Sequence, residues 1–107
     1  IAPGVITAAS SLIQAGAMLP AVDLHKPEKV IGKNTILSLQ SGLIYGFAGL
    51  VEGLSARIKA ELGGDAKVVA TGGLARLMAD EVDCIDAVEP ELTLLGVRII
   101  YEKNQKG

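Results

Sequence analysis

Apolar positions recur every three or four residues over three segments, and this spacing predicts three amphipathic helices. The first covers residues 4–19 and ends before Pro20. The second, over residues 35–62, carries one apolar stripe made of Ile36, Leu39, Leu43, Phe47, Leu50, Leu54, Ile58 and Leu62. The third covers residues 90–104, with Pro90 at its first position and a buried face of Leu92, Leu95, Ile99 and Ile100.

The long helix has clear end signals and an unusual interior. Asn34 or Thr35 can cap its first turn, and Gly63-Gly64 ends it in the left-handed conformation. Four interior glycines, each costing about 1 kcal/mol against alanine, indicate that another backbone packs close to the helix. They are Gly42, Gly46, Gly49 and Gly53. The partner is either another helix of this chain or a second subunit.

Two short strands are predicted between the long helix and the last one. Val68 and Val69 lie in a buried strand over residues 67–71, and residues 84–87 form the second strand, with a short helix at 74–79 between them. Residues 21–33 are a connector with a short extended piece at 21–24. The fold class is therefore α/β, helix-rich with two short strands. Because two short strands cannot form an independent sheet, we expect the rest of the sheet to lie in further chain.

Composition excludes several functions. A net charge of −2 and only three aromatic residues argue against nucleic-acid binding. The single cysteine, Cys84, cannot form an internal disulfide and favours a reducing compartment. The most apolar stretch, residues 42–51, is too short to cross a membrane. The half-hydrophobic composition and the opening Ile1-Ala2, without a methionine, predict a chain that is part of a longer polypeptide.

Five segments together resemble the C-terminal half of type III pantothenate kinases. They cover nearly the whole chain in order, and the second is the most specific: residues 2–4 (APG), 30–35 (VIGKNT), 40–46 (QSGLIYG), 70–74 (ATGGL) and 92–98 (LTLLGVR). The resemblance implies the C-terminal part of an actin-like (ribonuclease H-like) kinase domain over residues 1–107. It also implies that the family's N-terminal phosphate-binding domain lies outside this chain.

That resemblance also implies an activity and its partners. Such enzymes transfer the γ-phosphate of ATP to pantothenate, giving 4'-phosphopantothenate for coenzyme A synthesis. They are cytoplasmic homodimers that use Mg-ATP and a monovalent cation, K⁺ or NH₄⁺. Their catalytic and cation-binding carboxylates lie in the preceding part of the family's sequence, so we expect no catalytic or metal-binding residue in this chain and no activity from it alone. A dimer through the helix over residues 35–62 is consistent with its glycines.

The resemblance assigns three site residues. Thr35 matches the threonine that reaches the pantothenate in the partner subunit's site, and helix capping is its alternative role. Gly72 and Gly73 match the adenosine-side turn, where bare backbone lets a nucleotide pass; a purely steric turn is the alternative. Lys33 is either a solvated lysine or a residue that directs an anion, and His25 is not expected to act as a ligand or base.

Two other functions fit the same residues. A non-catalytic regulatory relative, of the Bvg accessory factor type, shares the architecture of these kinases. A dimerisation module without any ligand is the other alternative. The carboxylates of the N-terminal half discriminate between a kinase and a regulator, because phosphoryl transfer requires them.

Overall fold

The periodic segments of the sequence form helices, and the β-branched run forms one strand of a small parallel sheet. The computed structural model describes residues 1–16 and 19–105. Its elements, in chain order, are α1 (Val5–Ala15), α2 (Thr35–Glu61), β1 (Val69–Ala70), α3 (Ala75–Ala79), β2 (Ala87–Val88) and α4 (Leu92–Gln105). The α/β class is confirmed.

The chain divides into two compact units, residues 1–51 and 52–107, and the boundary falls within α2. The first unit has a small apolar core in which Ile44 is fully buried, together with Val5, Leu43 and Ala48. The core of the second unit consists of Ala75, Met78 and Val82. Each unit thus buries few large side chains, and much apolar surface stays exposed.

Helix α1 is shorter than its apolar periodicity predicts. Gly16 already has extended backbone angles, while its N–H still bonds the Leu12 carbonyl at 3.0 Å, which ends the helix at Ala15. The prediction to residue 19 is therefore wrong at Gly16 and Leu19, and residues 17 and 18 lie outside the described part. Of the predicted apolar face of α1, Ile6, Leu12 and Ile13 are exposed, and Val5 is the one buried residue.

The predicted start of α2 and its predicted end signals are confirmed, and the helix ends at Glu61, one residue before the predicted end. The Asn34 Oδ1 accepts a hydrogen bond from the Leu37 backbone N–H at 2.8 Å, which makes Asn34 the N-cap. At the other end Gly63 and Gly64 have positive φ, and the Gly64 N–H bonds the Lys59 carbonyl at 2.7 Å. Of the predicted apolar stripe, only Leu43 is buried, and its neighbours in the middle of the stripe are half-buried. The residues towards the two ends of the stripe are exposed to solvent: Ile36, Leu54, Ile58 and Leu62.

The connector contains no helix or strand, including over residues 21–24, and α2 holds it by side-chain hydrogen bonds. Ser41 Oγ donates to the Val30 carbonyl, and the Tyr45 hydroxyl donates to the Pro27 carbonyl at 2.7 Å. Gln40 Nε2 donates to the Asp23 carbonyl at 3.2 Å. These bonds satisfy connector carbonyls that no regular secondary structure would satisfy.

Gly32 allows the end of the connector to pass close to α2. A Cβ at Gly32 would lie 2.4 Å from the Ser38 backbone nitrogen, so a larger residue would displace the connector from α2. Ser38 Oγ also donates to the Gly32 carbonyl at 3.4 Å. The glycine of the VIGKNT segment is therefore a steric requirement.

The two strands pair in parallel, with Val69 opposite Ala87 and Ala70 opposite Val88. Both are shorter than predicted, and β2 begins at the last residue of its predicted range. Val69 is 47% exposed, so the expectation of a buried strand is wrong at this residue. A sheet of two two-residue strands is too small to be covered by a packing layer on both faces, so Val69 stays exposed to solvent.

Asp86, the residue before β2, connects it to the residue before β1. Its Oδ2 accepts a hydrogen bond from the Val68 N–H at 2.7 Å and lies 3.8 Å from the Lys59 ammonium. The Val68 hydrogen bond, with smaller contributions from the charges of Lys59 and Lys67, lowers the pKa of the Asp86 carboxyl below its usual 3.8.

Helix α4 differs most from expectation, because none of its residues is buried. The predicted buried face is exposed: Leu92, Leu95, Ile99 and Ile100. Pro90 also lies in the turn before the helix rather than at its first position. The described part of the second unit supplies no layer against this apolar face, although the spacing of its residues is helical as predicted.

Replacing Ser41 with alanine should destabilise the protein by about 1 kcal/mol, because a buried hydroxyl loses its bond to the Val30 carbonyl. Ser55→Ala is the matched control, since Ser55 lies on the same helix and has no side-chain hydrogen bond among the described residues. Urea unfolding of both variants measures the difference. Equal stability of the two variants would show that the Ser41 bond contributes nothing.

The lowered pKa of Asp86 makes stability depend on pH with a definite sign. The folded state favours the carboxylate, so its stabilising contribution is present above pH 3.8 and is lost as the pH falls below that value. Asp86→Asn should therefore remove part of the acid sensitivity of the unfolding free energy. Asp83→Asn, on the exposed preceding turn, is the control, and thermal unfolding from pH 6 to pH 3 is the measurement. Parallel curves for wild type and Asp86→Asn would contradict the assignment.

Candidate functional site

Thr35 is the first residue of α2 and is exposed. Because Asn34 caps the helix, the alternative role of Thr35 as the cap is excluded. Among the described residues the Thr35 hydroxyl has no hydrogen-bond partner. A hydroxyl both donates and accepts, so Thr35 can bond a polar ligand at this helix end.

A cleft of about 520 Å³ lies between the connector and the first turns of α2. Its apolar wall is formed by Pro27, Ile31 and Leu37. Gln40 lines it too and at the same time holds the connector through the Asp23 carbonyl. The volume lies in the range that small-molecule sites typically have.

The charged side chains of this cleft are mostly basic. Three lysines and one glutamate line it, together with a histidine: Lys26, Lys29, Lys33, Glu28 and His25. With neutral histidine the cleft has a formal surplus of two positive charges, in a chain whose net charge is −2. This distribution favours a negatively charged ligand.

Two residues of the cleft were evaluated as candidate site residues in the sequence analysis, and two further lysines were not identified there. Lys33 and His25 both line it, whereas Lys26 and Lys29 were not considered as candidates. The available signal was the density of lysine, since three of the ten basic residues fall within residues 26–33. What the sequence did not reveal is that the connector folds back along α2 and so brings these residues to one concave surface.

The turn at Gly72 and Gly73 follows β1 in the second unit. Gly72 has φ +97°, a conformation that favours glycine. Both glycines are exposed, and a Cβ at either position would meet no heavy atom within 4 Å. Open backbone of this kind permits close approach of a ligand. Helix α3 begins two residues after Gly73 and has five residues.

Thr35 and the basic cleft belong to the first unit, and the glycine turn belongs to the second. Over residues 1–16 and 19–105 no three histidine, cysteine or acidic side chains come close enough together to hold a metal ion. None of the helices described is long and apolar enough to cross a membrane.

Comparison with known proteins gives a consistent result. The family model for type III pantothenate kinase matches residues 1–57. A type III pantothenate kinase of Moorella thermoacetica is 55% identical over 104 residues, which is 97% of this chain and 41% of that protein. The relative from Roseiflexus sp. (strain RS-1) is 56% identical over 98% of this chain and 41% of its own length. That from Geobacillus kaustophilus is 47% identical over 97% of this chain and 40% of its own length.

The chain spans about two-fifths of the length of these curated relatives and corresponds to their C-terminal part. The family model matches more than half of the residues, including the capped start of α2 and the serine and tyrosine that hold the connector. On this basis, the chain belongs to the type III pantothenate kinase family.

Proposed function

We propose that the chain acts as the C-terminal part of an enzyme that transfers the γ-phosphate of ATP to pantothenate. The observation that carries the proposal is the 47–56% identity, over almost the whole chain, to proteins named type III pantothenate kinase. These names favour a kinase over a regulatory relative or an inert dimerisation module. The product would be 4'-phosphopantothenate, for coenzyme A synthesis in the cytoplasm.

The proposal includes the actin-like architecture, in which further parts of the same protein cover the surfaces that this chain leaves exposed. The two-stranded parallel sheet and the uncovered face of α4 both call for further sheet and helix packing. We assign residues 1–107 to the C-terminal part of an actin-like domain, which the N-terminal phosphate-binding domain of the same protein completes. Mg-ATP and a monovalent cation, K⁺ or NH₄⁺, would bind mainly to that other domain.

Thr35 is the proposed contact to pantothenate, in the site of the partner subunit. Its exposure, its unbonded hydroxyl and the capping by Asn34 support this role. Gly72 and Gly73 are the proposed nucleotide contacts, supported by the positive φ of Gly72 and the open space at both positions. Neither contact includes a group that reacts, so positioning is the contribution of this chain to phosphoryl transfer.

A homodimer through α2 is supported by the glycines along this helix. At Gly42, Gly46, Gly49 and Gly53 a Cβ would meet no heavy atom within 4 Å, so no segment of the described chain packs closely there. Of the two alternatives for these glycines, we favour close contact with a second copy of the chain, since glycines in a helix interior are retained where another backbone packs close. The exposed Ile36, Leu54 and Ile58 add apolar surface on the same helix.

The activity and the role of Thr35 are tested together in the longer protein that contains this chain. Wild type should convert pantothenate and ATP to a phosphorylated product, and Thr35→Val should raise the KM for pantothenate. Loss of one hydrogen bond of about 1 kcal/mol corresponds to about a fivefold change. Thr35→Ser should restore most of the affinity, and Thr93→Val on α4 is the control. Absence of product in wild type would refute the kinase; an unchanged KM in Thr35→Val would refute only the contact.

Gly46→Leu should convert the dimer to monomers, because a leucine at this position prevents close approach of a second helix. The side chain has free space in the chain itself, and leucine favours helix more than glycine, so folding should not suffer. Light scattering measures the mass, and circular dichroism verifies the helix content. Gly96→Leu on α4, also in open space, is the matched control. A Gly46→Leu protein that stays dimeric would exclude this face as the interface.

A further inference from the structure

The basic cleft of the first unit has no role in the function proposed above. Lys29 and Lys33 are exposed and have no ion-pair partner in the described chain. Like charges on one concave surface repel each other, and a bound anion would remove that repulsion. The cleft therefore has charges that are better satisfied with a ligand than without one.

The backbone that presents these lysines is held in place. Pro27 is buried and its carbonyl accepts the Tyr45 hydroxyl, while the carbonyl of Val30 accepts the Ser41 hydroxyl. Lys29 lies between these two anchored residues, and Lys33 follows Gly32, which packs against Ser38. The connector is thus already ordered in the folded protein, so ligand binding does not lose conformational entropy in ordering it.

The cleft also has an apolar side. Ile31 is 84% exposed and lines the cleft together with Leu37 and Pro27. An inorganic anion would make no use of these side chains, whereas the organic group of a phosphorylated small molecule would cover them. Charge and shape together indicate a ligand with an anionic head and a short apolar body.

We infer that the cleft lined by Lys29, Lys33, Ile31 and Leu37 is a binding site for a phosphomonoester. Lys29 and Lys33 donate to the phosphate oxygens, and Ile31 and Leu37 contact the organic group. Glu28, the one carboxylate of the cleft, opposes the dianion and limits the affinity. The site does not depend on the proposed kinase activity, since binding requires no turnover.

Calorimetric titration of the longer protein that contains this chain tests the inference. The probes are glycerol phosphate, inorganic phosphate, phosphorylated pantothenate and, as the ligand without phosphate, pantothenate. Saturable binding of a phosphomonoester should weaken about tenfold in Lys29→Gln and in Lys33→Gln, and more in the double variant. The comparison of probes also separates the possible ligands: preference for phosphorylated pantothenate over glycerol phosphate identifies the product of the reaction proposed above as the ligand.

Two further variants make the test specific. Glu28→Gln should tighten phosphomonoester binding by about threefold, because it removes a repelling charge, which a merely structural role would not do. Lys103→Gln on α4 removes one lysine elsewhere and should leave the affinity unchanged. The inference is overturned if no phosphomonoester binds saturably, if Lys103→Gln weakens binding as much as Lys33→Gln, or if the double variant retains the wild-type affinity.

Discussion

The first unit depends on the hydrogen bonds that α2 donates to the connector. A segment of irregular backbone has carbonyls that must find donors, and here side chains of the neighbouring helix supply them. Ser38, Ser41 and Tyr45 recur at spacings of three and four, so they lie along one side of α2 and meet successive connector carbonyls. The connector consequently has one defined path without forming a strand or helix.

That path determines where the chemistry-bearing residues lie. It directs Gly32 against the first turn of α2, places Asn34 at the cap and leaves the Thr35 hydroxyl exposed. It also collects lysines from residues 26–33 around one cleft. A pantothenate contact and an anion cleft at the same helix end would both follow from one set of anchoring bonds.

The exposed surfaces show what this chain requires from other protein. Helix α4 buries no residue, Val69 is half exposed, and the glycines of α2 face open space. In a family whose curated members are more than twice as long as this chain, such surfaces are consistent with packing layers supplied by the remaining sequence and by a second subunit. The small cores of both units explain why hydrophobic periodicity alone overestimated burial.

The sequence by itself determined the type and order of the elements, the ends of α2 and the family. These features follow from local rules: apolar spacing, the Asn34 cap, the paired glycines at 63 and 64, and short motifs in order. It did not determine the burial of Leu95 or Val69, the end of α1, or the cleft at Lys29 and Lys33. Burial and clefts depend on which distant segments meet. Only the tertiary structure decided this, because the same apolar or basic pattern is compatible with a covered or an open surface.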